Sequence, residues 1–253
     1  MKNILVLSAH LDDAAFSVGP LLAEWLPAAR IVVATAFTKS VANPAAFALA
    51  CQLDKGLAAD VDYMKIRREE DRAWSEKLGV EVMHGPLPEA PHRGYHSAKA
   101  LFGAILLGDE LEMDLQAWLL GLIDSLSPAV ILVPLGIGNH VDHQWMRKVA
   151  EATISSRHNL AYYKDQPYAV KSGDASDGPD VGPWRKTQVP LSQDSLARAH
   201  AAAEAYRTQI PFQFGGAEPM RRVLNCAWEN HLTIFHTAET PAFSELFSNP
   251  ILL

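Results

Sequence analysis

The chain has 253 residues, 49% of them hydrophobic and 20% charged, enough apolar material for a sizeable core without disulfides or a structural metal. Its net charge of −7 argues against a nucleic-acid or anionic-membrane partner, and no basic run exceeds Lys65-Ile66-Arg67-Arg68. Cys51 and Cys226 show neither Cys-x-x-Cys nor metal-ligand spacing, and no stretch approaches the ~18 apolar residues of a membrane span.

In chain order, Ile4–Ser8 is a short continuous apolar run of the kind that forms a buried parallel strand. It leads straight into His10 and two aspartates, so it reads as a first strand rather than a signal peptide. The expected location is the cytoplasm. Ala14–Trp25 has helical apolar spacing, and Arg30–Phe37 is a second buried strand. Tyr63–Leu78 is a charged amphipathic helix closed by Gly79. Val80–Met83 is a third strand and Leu87–Gly94 a proline-rich loop. Met113–Leu126 is a helix, Ala129–Val133 a fourth strand, Gln144–Ser155 a helix and Ala161–Tyr163 a strand. Lys171–Trp184 reads as a long polar surface loop. Ser195–Thr208 is an Ala-rich helix with Asp194 or Ser195 as its cap. Strands alternating with helices of this length predict a Rossmann-like α/β fold over residues 1–253, a single domain with a mostly parallel sheet and helices on both faces.

Two clusters carry chemistry. Ala9-His10-Leu11-Asp12-Asp13 follows the first strand, and Asn139-His140-Val141-Asp142-His143 follows the fourth. In an open parallel sheet, ligands bind beyond the carboxyl ends of the strands, so the clusters can converge there. A catalytic metal site uses three N/O ligands and keeps one position open. His10, Asp13 and His143 make such a two-His, one-carboxylate set. Asp12 then stands free to accept a proton from water, and His140, when charged, can steady a tetrahedral oxyanion. Each cluster alone has a plainer reading: Asp12 or Asp13 caps the next helix, or the histidines form a surface pair. Gly136-Ile137-Gly138 lacks the third glycine of a dinucleotide loop, since Val141 stands there. His84, His92, His96, His158, His200, His231 and His236 lack paired spacing.

The two motifs, in order, resemble those of the PIG-L/LmbE-like family of zinc-dependent N-deacetylases. Gly19 follows the first motif at the family's spacing, and Arg67, Glu70, Ala73, Leu78 and Gly79 match the intervening Arg-x-x-Glu helix. Weaker echoes are Tyr163-Lys164-Asp165-Gln166-Pro167-Tyr168 and Tyr206-Arg207-Thr208-Gln209, so the resemblance spans roughly residues 1–212. It implies His10, Asp13 and His143 as ligands of Zn2+, with Fe2+ as another divalent candidate. It implies Asp12 as general base, His140 as stabiliser of the tetrahedral intermediate, Asp142 as the orienting partner of His140, and Arg67 as a substrate contact. The implied reaction is removal of an N-acyl group, N-acetyl first among them, from an amino sugar or glycoconjugate by an activated water. The alternatives are an amidase for a larger amide or N-acyl natural product, and a non-catalytic nucleotide- or sugar-binding α/β module. Leu11 and Val141 replace the family's prolines. Tyr95–Glu112 is longer and more apolar than the family pattern, and could serve as a lid or as the contact of a homo-oligomer.

Overall fold

The computed structural model describes residues 1–44, 46–154, 159–172 and 185–236. Its centre is a seven-stranded sheet of β1 (Lys2–Ser8), β2 (Ala29–Phe37), β3 (Glu81–Leu87), β4 (Val130–Pro134), β5 (Asn159–Tyr163), β6 (Arg185–Pro190) and β7 (His231–His236), in the order β3-β2-β1-β4-β5-β7-β6. The first five strands are mutually parallel, while β7 runs antiparallel to β5 and to β6.

The apolar runs alternate between two cores. Ile4 and Val6 of β1 point into one buried cluster, and Leu5 and Leu7 into another. That is why the strand reads as an unbroken hydrophobic run: both faces are covered. The first core is closed by α1 (Asp13–Trp25), α3 (Tyr63–Leu78), α8 (Gln193–Ala203) and α10 (Ala217–Trp228). The second is closed by α5 (Glu112–Leu126) and α6 (Val141–Thr153). The short helices α2 (Ala46–Leu53), α4 (Ala98–Leu101), α7 (Tyr168–Lys171) and α9 (Gln209–Phe214) lie in the connections. No described helix is long and apolar enough to cross a membrane.

Local chemistry sets the element ends. Asp62 caps α3, accepting the Lys65 N–H at 2.9 Å, and Gly79 ends it in the left-handed region at φ +95°. β3 runs past the expected Met83 through Gly85 and Pro86. A Cβ on Gly85 would meet the Ala36 carbonyl at 2.6 Å, so only glycine lets these strands approach so closely. Pro86 is tolerated because β3 is an edge strand.

Three expectations need correction. The Ala-rich helix is capped by Ser192, which accepts the Ser195 N–H, rather than by Asp194 or Ser195. It stops at Ala203 because Tyr206 and Thr208 are drawn aside to Asp71 and Glu70 of α3. α6 begins at Val141, three residues before the expected Gln144, which places Asp142 and His143 in its first turn. Of the expected loop Lys171–Trp184, residues 173–184 lie outside the described residues, as does His158.

Candidate metal centre

The sheet turns the two motifs toward each other. β4 and β2 flank β1, so the chain reverses its direction of winding between β1 and β4. His10 follows β1, while His140 and His143 sit where α6 starts after β4. This is the topological switch point, where the strand ends leave a crevice.

The local folding differs between the motifs. Asp12 occupies the cap position of α1, yet its side chain makes no capping bond. The plain cap reading therefore fails for it. Asp13 turns back, and its Oδ2 accepts the His10 N–H at 2.7 Å. Leu11 and Val141, which replace the family's prolines, are fully buried. Val141 packs against Ala90 and Tyr95, so apolar packing holds the turn that a proline ring would otherwise stiffen.

Among the described residues, His10, His140 and His143 bring ligand atoms within 4.8 Å of one another. A tighter set includes Asp13. His10 Nδ1 lies 3.3 Å from His143 Nε2 and 3.4 Å from Asp13 Oδ2, and His143 Nε2 lies 3.2 Å from Asp13 Oδ2. Donors sharing a tetrahedral ion at ~2.0–2.2 Å must stand about 3.3–3.6 Å apart, so this near-equilateral triangle has the size a zinc-like cation requires. The far nitrogen of each imidazole meets a carboxylate: His10 Nε2 is 2.9 Å from Asp142, and His143 Nδ1 is 2.6 Å from Asp165. Such carboxylates fix the tautomer and aim the other lone pair inward.

Charge agrees with this reading. Burial works against a proton on His10, but Asp13 and Asp142 outweigh it and lift its pKa to about 9. His143 is likewise raised, by Asp13 and Asp165 against burial. Burial would raise Asp13 too, yet the two histidines pull it well below the usual carboxylate range. The raised values mark basic donors, and the protons they hold with no ion present must leave when a divalent cation binds.

His140 behaves differently. It caps α6, and its Nδ1 accepts the Asp142 N–H at 3.2 Å. Burial, reinforced by charge on His10, pushes its pKa down to about 3, so the ring is neutral rather than charged as expected. With Nδ1 as acceptor, the proton sits on Nε2. The ring stands edge-on to His10, with centroids 4.8 Å apart, and beside Phe102 at 5.3 Å. Asp142, expected to orient His140, is 4.0 Å from that ring and bonds His10 instead. The reason is local: Asp142 and His140 meet through the backbone N–H, which leaves the carboxylate free to reach across to β1.

Asp12 lies beside the triangle. Its Oδ1 accepts from Arg67 Nη2 at 3.0 Å and its Oδ2 from the Gln213 amide. Burial raises its pKa to about 6, with the Asp13 charge adding and Arg67 opposing. Arg67 is only 4% exposed and also pairs with Glu89, so it is no surface charge. Its Nε is buried and finds no partner among the described residues. Glu70, its companion in the Arg-x-x-Glu pattern, accepts the Thr208 N–H and hydroxyl at 2.8 and 2.7 Å. It thereby anchors the start of α9, which carries Gln213 to Asp12. Sequence reasoning did not single out Asp165, Gln213, Arg93 or Asp109. Asp165 had a usable signal, since it stands two residues after β5 at the same sheet edge.

The family model described as PIG-L, GlcNAc-PI de-N-acetylase, matches residues 5–154, a stretch that holds both motifs and the helix between them. The chain belongs to the PIG-L family. A PIG-L relative, the 2'-N-acetylparomamine deacetylase of Streptomyces fradiae, is 30% identical over 179 residues. The match takes in 65% of this chain and 57% of that protein, so it spans little more than half the relative's length. The solved structure of teicoplanin deacetylase in its zinc-inhibited form superposes with a TM-score of 0.76 at 22% identity, covering 94% of this chain and 100% of that one. An antimicrobial pseudoaglycone (A40926) deacetylase gives 0.76 at 26% identity, over 93% and 98%. The PIG-L fold, a mixed seven-stranded sheet surrounded by helices, is thus shared across nearly the whole described chain.

Proposed function

We propose that this chain is a metal-dependent N-deacetylase that removes an N-acyl group, N-acetyl first among them, from an amino sugar or a sugar-bearing natural product. The observation that carries this is the triangle His10 Nδ1, Asp13 Oδ2 and His143 Nε2, with a carboxylate behind each imidazole. These three side chains would hold the ion, zinc by size and donor type, and Fe2+ would suit the same donors. When bound, the ion would supply Lewis acidity, polarising the acyl carbonyl and easing deprotonation of the attacking water.

The chain's own groups then have distinct tasks. Asp12 takes the proton as water oxygen bonds to the acyl carbon and the carbonyl pair moves onto oxygen. His140, neutral with its proton on Nε2, donates a hydrogen bond to that oxygen. Collapse restores the carbonyl and breaks the C–N bond. The proton reaches the leaving amine from Asp12, because His140 has no spare one. Arg67 holds Asp12 and pairs with Glu89, and from there it would contact the substrate. Asp142 keeps His10 oriented.

Relatives named as deacetylases of 2'-N-acetylparomamine, teicoplanin and the A40926 pseudoaglycone support a sugar-bearing substrate, and the larger-amide reading differs from it only in the group cleaved. One continuous sheet supports a single domain, and two free cysteines suit the cytoplasm. The test is amine release from a panel of N-acetylated amino sugars and glycopeptides, with and without a chelator. Release that stops on chelation and returns with zinc is expected. Turnover indifferent to chelation, or none on any N-acyl sugar, would sink the reading.

A further inference from the structure

Behind His10 lies a chain of alternating charges that the proposed reaction does not use directly. Asp142 is fully buried and accepts three hydrogen bonds, from His10 at 2.9 Å, the Ala90 N–H at 3.1 Å and Arg93 Nη2 at 2.7 Å. The same Arg93 grips Asp109 with two bonds, Nε to Oδ1 at 3.0 Å and Nη2 to Oδ2 at 3.1 Å. Its remaining Nη1 donates to the Pro88 carbonyl at 2.7 Å. Four of the five guanidinium N–H groups of Arg93 are thus engaged and its side chain is nearly buried, which leaves it unsuited to touching substrate. Asp109 in turn accepts from Tyr95 Oη at 2.9 Å and Trp145 Nε1 at 2.8 Å. Trp145 belongs to α6, the helix that bears Asp142 and His143.

Resting on the ligand set proposed above, we infer that Arg93 and Asp109 are positioning residues for the metal centre, acting through Asp142 on His10. A carboxylate behind a ligating histidine fixes its ring and raises its basicity. An arginine bound to Asp142 alone would draw charge from it and weaken that support. Asp109 takes up part of the guanidinium, so that Asp142 stays a strong acceptor for His10. It also locks the guanidinium in the plane that reaches both carboxylates, which a lysine's point charge cannot do. The segment after Tyr95 thus folds back to brace the centre.

The test is zinc affinity by competition with a chelator on the metal-stripped full chain. Asp109→Asn keeps one oxygen for Trp145, Tyr95 and Arg93 Nη2 but loses the negative charge and the acceptor that faces Arg93 Nε. Its zinc Kd should rise about 10- to 100-fold, with turnover regained at saturating zinc. Ser192→Ala, which removes an α8 cap that touches none of these groups, shows how far lost stability alone moves Kd. A folded Asp109→Asn with wild-type Kd overturns the inference. Should that variant not fold, Arg93→Lys decides: weaker zinc binding supports the inference and unchanged binding overturns it. A wild-type chain without zinc affinity instead overturns the ligand set itself.

Discussion

Asp12 and Asp13 are adjacent in sequence and opposite in electrostatics. Burial pushes Asp12 up to about 6, while two histidines hold Asp13 well below its usual range. Neighbouring carboxylates driven apart in this way suit a base and a ligand. Asp13→Ala should lose zinc and activity together, with partial rescue at high zinc. Asp12→Asn should keep its zinc and lose kcat about 10²–10⁴-fold. Zinc content measured beside kcat decides, and a zinc-free Asp12→Asn would reverse the two roles. The histidines give a second prediction. His10 is raised to about 9, so below that pH the metal-free site carries a proton that an entering ion must displace. Affinity should fall as pH drops, by about tenfold per unit for each proton released. Calorimetry in buffers of differing ionisation enthalpy counts those protons, and a pH-independent Kd would contradict the site. His10, Asp12, Asp13, His140, Asp142 and His143 are legible in the sequence because one cluster directly follows a buried strand and the other stands in the short loop after a second one. Asp109 and Gln213 are not, because their partners become neighbours only through tertiary folding.

At the scale of elements, α1 shows how a rule can be broken and repaired. Pro20 lies inside this helix and has no N–H to offer the Phe16 carbonyl one turn back. The buried Trp228 of α10 supplies the missing donor, Nε1 to Phe16 O at 3.0 Å. Trp228→Phe keeps an aromatic ring there and leaves that carbonyl unpaired. It should cost about 1–3 kcal/mol in denaturant unfolding, with zinc content intact. A loss within experimental error would mean that the carbonyl finds another partner. The parallel strands are legible because burial on both faces makes them continuous apolar runs. β6 is not: it is an edge strand whose one buried residue is Val189, so its sequence carries no hydrophobic pattern. α10 has a readable signal in Met220, Leu224 and Trp228, four residues apart and all buried. α2 has little, with only Ala48 and Gln52 buried.

For the whole molecule, the position of the centre makes metal binding and folding one equilibrium. His10 and Asp13 hang from the end of β1, and His143 from the helix after β4, on adjacent strands that join the two wings of the sheet. Unfolding separates the three donors, so an ion that binds the folded chain stabilises it by mass action, about 2.7 kcal/mol when free zinc is 100 times Kd. For a chain of this size each kcal/mol moves Tm by roughly 2–4 °C. Saturating zinc should therefore raise the melting temperature of the metal-stripped protein by about 5–10 °C. His143→Ala should lose most of that shift. Trp228→Phe, which touches none of the three donors, should melt lower and still show the full increment. The comparison separates a metal effect at the switch point from general stabilisation. Coincident melting of stripped and zinc-saturated wild type would mean that the triangle of donors binds no ion.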